Sequence, residues 1–372
     1  MDISKKDNFF VISGILIGDQ ERTLYMPFNS LFLDVEDNED SNSKILLRSV
    51  ENGDVICEST LTDITIEGSH VDSSTIWAKF GDLAFQESGS GEVEEMDWFR
   101  IENLESSEAT VTLNNDASAD PLTLKVSTDK KKWIEYANIS VSTEFKIPAN
   151  GTLYFNGKTN SHWSKLANIW RFRCDKKHNI AGDMSTLVSD MIEVPEYLFS
   201  YLFYLDSKLV SAGEIKLPWT TLGGACYHAM FKDCSSLTKA PELPATNLTA
   251  SCYNATFAGC TSLTEAPELP ATNLMASCYN AIFSGCSSLT KAPELPATTL
   301  VDNCYFNAFN GCSKLSEVTC LATNISATGA TTNWLSGCSS TGTFTCATGM
   351  SSTWTSGESG IPEGWTVNET NA

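Results

Sequence analysis

The sequence predicts a mainly β, multi-domain protein: a small β-rich N-terminal module, an immunoglobulin-like β-sandwich, and a C-terminal solenoid of 26-residue repeats closed by a β cap. Three observations carry that prediction. Apolar and polar residues alternate over the first 85 residues and again over residues 97–195, the period of a half-buried strand. Between them lies Gln86 to Glu95, QESGSGEVEE, whose Gly, Ser and acid cannot pack a core and read as a flexible linker. From residue 196 onward several residue types recur at a fixed step of 26, and a fixed period of about 20 to 50 residues marks stacked units that bury their apolar sides only against each other. The predicted divisions are therefore an anchor module over 1–85, a linker over 86–96, a sandwich over 97–195, repeats over 196–340 and a cap over 341–372.

In the first module, Phe9 to Ile12, Thr23 to Val35, Lys44 to Val50, Asp54 to Cys57 and Asp63 to Glu67 read as strands, with a turn at Asn52-Gly53. Ser73 or Ser74 would cap a short helix whose Ile76, Trp77, Phe80 and Leu83 share one face. The run FFVISGILI at 9–17 follows two lysines, but Asp7 interrupts the basic region and no small-x-small cleavage site follows. It is expected to be a buried strand instead of a signal peptide.

The middle module repeats the period-two pattern at Leu122, Leu124 and Val126, followed by the polar turn Asp129 to Lys132 and then Trp133. Phe145 and Ile147 lead through Pro148-Ala149-Asn150-Gly151 to Leu153 and Phe155, which predicts a hairpin because Asn-Gly tolerates positive φ. The stretch Asp183 to Leu205 is expected to be more helical or irregular.

In the repeats, Cys226, Cys252, Cys278 and Cys304 form one register, and Cys234, Cys260, Cys286, Cys312 and Cys338 another. Leu217, Leu243, Leu269, Leu295 and Leu321 follow the same step, as do Pro218, Pro244, Pro270 and Pro296. Within a unit, Tyr253, Phe257 and Cys260 at i, i+4, i+7 predict a short helix with one buried face. Asp233, Gly259, Gly285, Gly311 and Gly337 stand where a left-handed residue would end it. A short strand is expected near Leu263, passing into irregular backbone because two prolines per unit cannot donate to a ladder. Ala330 replaces the cysteine and Leu335 the phenylalanine of the last unit, the decay expected of a capping repeat.

Charge narrows the partners. Forty-six acidic against 24 basic residues give −22, which repels phosphate backbones and anionic headgroups, so neither nucleic acid nor membrane is an expected partner. Residues 221–372 hold ten acids and four bases, a mostly uncharged surface. No segment approaches the roughly 18 apolar residues of a membrane span.

The run Phe257-x-x-Cys260-x-Ser262-Leu263, then Leu269-Pro270 and Cys278, resembles the bacterial leucine-rich repeats of the BspA type over about residues 200–340. Val126-Ser127-Thr128-Asp129 with Trp133, and Gly360-Ile361-Pro362-Glu363-Gly364-Trp365, resemble modules that accompany such repeats in Bacteroides surface proteins and in proteins of phages infecting those bacteria. The repeats are longer and richer in proline than the commoner 23-residue form. The resemblance implies binding at a cell surface or on a virion. With no export signal read at the N-terminus, the expectation is a non-enzymatic virion structural protein, a head or tail fibre or decoration protein, assembled in the host cytoplasm. Its first module would hold other virion proteins, its repeats a host surface protein or glycan, and it would form a homo-oligomer. A cell-surface adhesin and a capsule-depolymerising fibre are the alternatives.

Candidate sites follow the repeat. The cysteines are spaced C-x7-C in a chain with four histidines, which argues against a metal site. Disulfides fit by distance, since neighbouring units stand about 4.8 Å apart, but the expected state is buried free thiols. Glu242, Glu268 and Glu294 form a column that a cation or glycan could use, or a solvated edge. Tyr227, Tyr253 and Tyr279, with Tyr305, could stack on sugar rings, or pack in the core with their hydroxyls reaching the rim. No catalytic motif and no cofactor site is recognised in the sequence.

Overall fold

The computed structural model describes the backbone of residues 2–6, 9–17, 20–27, 31–36, 44–49 and 55–60, and the side chains as well of residues 96–115, 120–158, 160, 163–164, 169–189 and 194–370. The chain is mainly β, with several sheets and, among the described residues, a single 3-10 turn at Met184–Leu187 for helix. It divides into two compact units, Met1–Met96 and Asp97–Ala372.

The first unit holds six strands: β1 (Asp2–Lys6), β2 (Phe9–Ile17), β3 (Gln20–Pro27), β4 (Leu31–Glu36), β5 (Lys44–Ser49) and β6 (Val55–Thr60). They form two antiparallel sheets, β1-β2-β3 and β4-β5-β6. The run expected as one strand over Thr23 to Val35 is two strands in different sheets. The expected strand at Asp63–Glu67, the helix after Ser73 and the linker 86–95 lie outside the described residues.

The second unit begins with β7 (Arg100–Asn103), β8 (Ala109–Asn115), β9 (Leu122–Ser127), β10 (Ile134–Ile139), β11 (Thr143–Ile147), β12 (Thr152–Asn156), β13 (Trp170–Cys174), β14 (His178–Asp183) and β15 (Leu209–Lys216). One sheet runs β10-β9-β12-β7-β14-β15 and the other β11-β8-β13. Alternate residues of both are buried, as in β8 where Ala109, Val111 and Leu113 are enclosed, and the inner faces meet through aromatic rings. Phe145 of β11 and Phe155 of β12 lie edge to face at 5.7 Å, and Phe172 of β13 sits 5.1 Å from Phe155.

This geometry corrects one expectation. Phe145 and Phe155 flank a tight turn, with Asn150 at φ 50 and the Gly151 N–H donating to the Pro148 carbonyl. Yet β11 and β12 belong to different sheets. The turn carries the chain from one sheet to the other, so the two phenylalanines face each other across the core instead of lying side by side in a hairpin. The hairpin of this region is β9–β10 around the Asp129 turn.

Beyond β14 the same core continues. Residues 197–206 and then 225–234, 251–260, 277–286, 303–312 and 329–338 adopt one local conformation, and here the expected helix is overturned. In 225–234 the N–H groups of Cys226, His228, Met230, Lys232 and Cys234 bond three residues back at 3.0 to 3.3 Å. Those of Ala225, Tyr227, Ala229, Phe231 and Asp233 instead donate to the following unit, to Ala250, Cys252, Asn254, Thr256 and Ala258, at 2.7 to 3.1 Å. Every fourth residue is left-handed: Ala225, Ala229 and Asp233 at φ 50, 52 and 61, and likewise Ser251, Ala255 and Gly259. A positive φ at the third residue of a four-residue turn gives a type II turn. The segment is thus a ribbon of linked turns in which half the amide groups are freed to bind the next unit. Left-handed Ala costs about 1 to 2 kcal/mol, which those added bonds offset.

The ribbon brings like residues into rows. Tyr227, Tyr253, Tyr279 and Tyr305 stack at 5.6 to 5.9 Å with planes within 15°. Phe203, Phe231, Phe257, Phe283 and Phe309 stack at 5.4 to 5.7 Å. The rows begin before the first repeat cysteine: Phe199 stacks on Tyr227 at 6.4 Å, in the stretch read as helical or irregular. The extended halves of the units carry few strands. Isolated bridges such as Ser211↔Lys239 and Lys291↔Glu317 stand near the registers of Leu263, where a strand was expected, and Thr221↔Asn247 lies further along the extended half. Leu321 departs from its register, because Cys320 bridges Leu295 and is the buried residue there. The fifth extended half is one residue shorter at that point.

Three parallel strands close the far end, β16 (Glu317–Cys320), β17 (Thr343–Cys346) and β18 (Thr366–Glu369), in the order β16-β17-β18. Trp334, Phe344 and Trp354 pack beneath them. Both ends of the row of units are therefore covered: the first by β14 through its parallel pairing with β15, the last by this sheet. At the first junction His178 and Asp206 lie 3.4 Å apart, both enclosed. Asp206 also accepts the N–H groups of Cys174 and Lys208. Burial pushes its carboxyl above the usual range, against the pull of His178 and those N–H groups.

Candidate functional site

Stacking equivalent units turns each exposed position into a column. Glu242, Glu268 and Glu294 are all exposed, one per unit. Three residues earlier stands a column of alternating sign, Lys239, Glu265, Lys291 and Glu317, also exposed, with Lys291 Nζ 4.0 Å from a Glu317 carboxylate oxygen. Exposed pairs of this kind contribute about 0 to 1 kcal/mol each, so their effect is to offset the like charges of the glutamate column. Four residues after those glutamates come Thr246-Asn247, Thr272-Asn273 and Thr298-Thr299, exposed and uncharged. The Asn247 side-chain amide donates to the Thr221 hydroxyl at 3.2 Å, linking two units across this row. The lysines and the Thr/Asn pairs escaped the sequence reading, although the same step of 26 relates them.

The tyrosines take the opposite placement. Tyr227, Tyr253 and Tyr279 are at most 1 % exposed, so their rings are withheld from any external ligand. Their hydroxyls do not reach the rim. Those of Tyr227, Tyr253, Tyr279 and Tyr305 are enclosed without a hydrogen-bond partner among the described residues. Burial drives the phenols of all four upward, which keeps them neutral.

The cysteines are likewise core. Those described are free thiols, and all but Cys338 are buried. Burial pushes Cys252 and Cys304 up to about 11 and Cys286 up to about 12, so at neutral pH they are protonated and poor nucleophiles. The two registers differ in one respect. In the second, Cys234, Cys260, Cys286 and Cys312 donate S–H bonds to the carbonyls of Phe203, Phe231, Phe257 and Phe283 at 3.0 to 3.2 Å. In the first, Cys226, Cys252, Cys278 and Cys304 are buried next to the tyrosines with no such acceptor among the described residues.

Among the described residues, no group of three His, Cys, Asp or Glu side chains is placed to hold a metal, and no helix is long and apolar enough to cross a membrane. No family model matches this chain, and no curated protein or solved structure is significantly similar to it.

Proposed function

We propose that this chain is a non-enzymatic structural protein of a virion, a fibre or decoration protein, whose repeats form a leucine-rich-repeat solenoid that meets a host-cell protein or glycan. The two sheets of residues 97–216 are then a sandwich that seats the solenoid, and the first unit anchors the chain to the particle. The observation that carries the reading is the contrast between identical buried rows and exposed columns of Glu, Lys, Thr and Asn presented once per unit. Such a surface binds by extent, with one modest contact in each unit, and several copies on one particle multiply weak contacts through effective concentration.

The test uses residues 97–372, the second compact unit, applied to cells and purified capsule of gut Bacteroidota. The expected result is weak adsorption as a monomer and strong adsorption when displayed in multiple copies, with capsule chains left at their original length. Shortened chains would replace the reading with a depolymerase. Absence of adsorption even in multiple copies would leave a particle protein with no host role.

A further inference from the structure

The outer face of the six-stranded sheet carries a cluster that the repeats do not explain. Phe99, just before β7, and Ile101 within it are buried, so Trp98 and Arg100 project from the other face. In β12 Leu153 and Phe155 point inward, so Tyr154 shares that outer face, beside Arg100 on one strand and Ser127 on the other. The loop after β9 is fixed over this face. The Asp129 carboxylate accepts the N–H groups of Lys131 and Lys132 at 2.9 Å each and the Ser127 hydroxyl at 3.0 Å, bonds that hold its pKa below the usual carboxylate range. Lys130 takes a left-handed φ of 62. Its ammonium lies 5.1 Å over the Tyr154 ring, and its carbonyl accepts the Trp133 indole N–H at 3.1 Å. Trp133 meets Trp98 edge to face at 5.1 Å.

The loop thus holds half-buried aromatic rings beside two exposed ammonium groups, those of Lys131 and Lys132. The surrounding charge permits an acidic partner. Residues 97–220 hold fourteen basic and sixteen acidic residues, whereas residues 1–96 hold six and twenty, so the acidity of the chain lies mostly elsewhere. Arg100 is already held by Asp97 and Glu102, leaving the lysine loop as the local excess of positive charge.

We propose that this face binds an acidic polysaccharide. The apolar C–H faces of sugar rings would lie on Trp98 and Trp133, and carboxylates spaced along the polymer would meet Lys131 and Lys132. Two lysines supply too little charge to hold a nucleic acid against a chain of −22, whereas sugar rings add stacking on the aromatic residues that does not depend on charge. The inference stands apart from what the repeats bind.

The test is retention of alginate, dextran and single-stranded poly-dT by the full chain. Alginate should be retained well above dextran and poly-dT. Lys131→Glu/Lys132→Glu, which alters two exposed side chains and leaves their backbone bonds to Asp129 intact, should weaken alginate binding roughly tenfold with an unchanged melting curve. Trp133→Leu should weaken it with the charges untouched. Equal retention of dextran, tighter binding of poly-dT, or an unaffected lysine variant would overturn the assignment. Alginate retention without host adsorption supports this surface and counts against the fibre reading; adsorption without alginate retention does the reverse.

Discussion

In the two-sheet region the core is filled by different residues at almost every position: Phe99, Ile101, Val111, Leu124, Phe145, Trp163, Trp170. In the row of units the same position is filled by the same residue, unit after unit, as in the stacked tyrosines and phenylalanines. Backbone bonding differs in parallel. Antiparallel strands such as β8 and β13 bond along their whole length, whereas each turn ribbon keeps half its N–H groups for itself and gives half to its neighbour. A sheet of mixed residues specifies its pairing by shape. A row of identical units is specified by repetition and needs a distinct first member to define where it starts. That member is the edge of the six-stranded sheet, through β14–β15 and the His178–Asp206 contact.

The largest effect should therefore come from separating the two regions. The sequence expectation of a boundary near residue 195 makes the repeats an independent domain, but the structure gives residues 97–372 one continuous core. A fragment from Met184 to Ala372 loses β14, leaves Asp206 without His178, and bares Phe199 and Phe203, which pack on Trp163 and on Phe99 and Phe172. Each re-exposed aromatic costs about 1.5 to 3 kcal/mol, and leaving a buried polar group without its partner about 1 to 3. Residues 97–372 should melt cooperatively, while Met184–Ala372 should melt far lower or aggregate. Equal melting temperatures, read by circular dichroism, would show that the repeats need no template.

What the sequence made legible follows from the same contrast. Alternation in β7 to β9 is visible because a strand face repeats every two residues, and the rows are visible because 26 recurs. The turn ribbon was not legible. Its inward positions, Cys226, Met230 and Cys234 or Tyr227 and Phe231, recur every four residues, and over three such positions a period of 4 cannot be told from the 3.6 of a helix. Gly259, Gly285 and Gly311 announced a left-handed position, but Ala229, Ala255 and Ala281, at φ 52 to 55, carry no such signature. The ribbon at 197–206 escaped because its row positions hold Leu198 and Asp206 where the later ribbons hold cysteine. Among the candidate contacts, the glutamate column was legible in its exposure. The enclosure of the tyrosine hydroxyls was not, since it depends on what the extended half of each unit lays over them.

The two cysteine registers offer a finer separation, within the repeats themselves. At Cys278 a serine would bury a hydroxyl without an acceptor, costing about 1 to 3 kcal/mol, and alanine should cost less. At Cys286 the thiol donates to the Phe257 carbonyl, so serine retains a donor there while alanine loses the bond and leaves a small void. The order of stability should thus reverse: Ala above Ser at 278, Ser at or above Ala at 286. Denaturant midpoints of the four variants check it, and the same order at both positions would mean that the S–H bonds contribute nothing measurable.

The smallest effect separates the two regions by how each treats a buried polar ring. In the two-sheet region the enclosed indoles are bonded, Trp163 Nε1 to the Leu187 carbonyl at 2.7 Å and Trp170 Nε1 to that of Asp120 at 3.0 Å. Trp163→Phe should therefore destabilise, through lost volume and an abandoned carbonyl. In the repeats the tyrosine hydroxyls are enclosed without partners, and the row already accepts phenylalanine, since Phe199 occupies its first place and stacks on Tyr227. Removing an unpartnered buried hydroxyl relieves desolvation without opening a void as large as a methyl group. Tyr279→Phe should leave stability unchanged or raise it by about 1 kcal/mol, and Tyr253→Phe should act alike. A loss of more than about 1 kcal/mol in thermal or urea unfolding of both variants would show that the hydroxyl row is bonded in solution, and that the repeats, like the sheets, leave no buried polar ring unsatisfied.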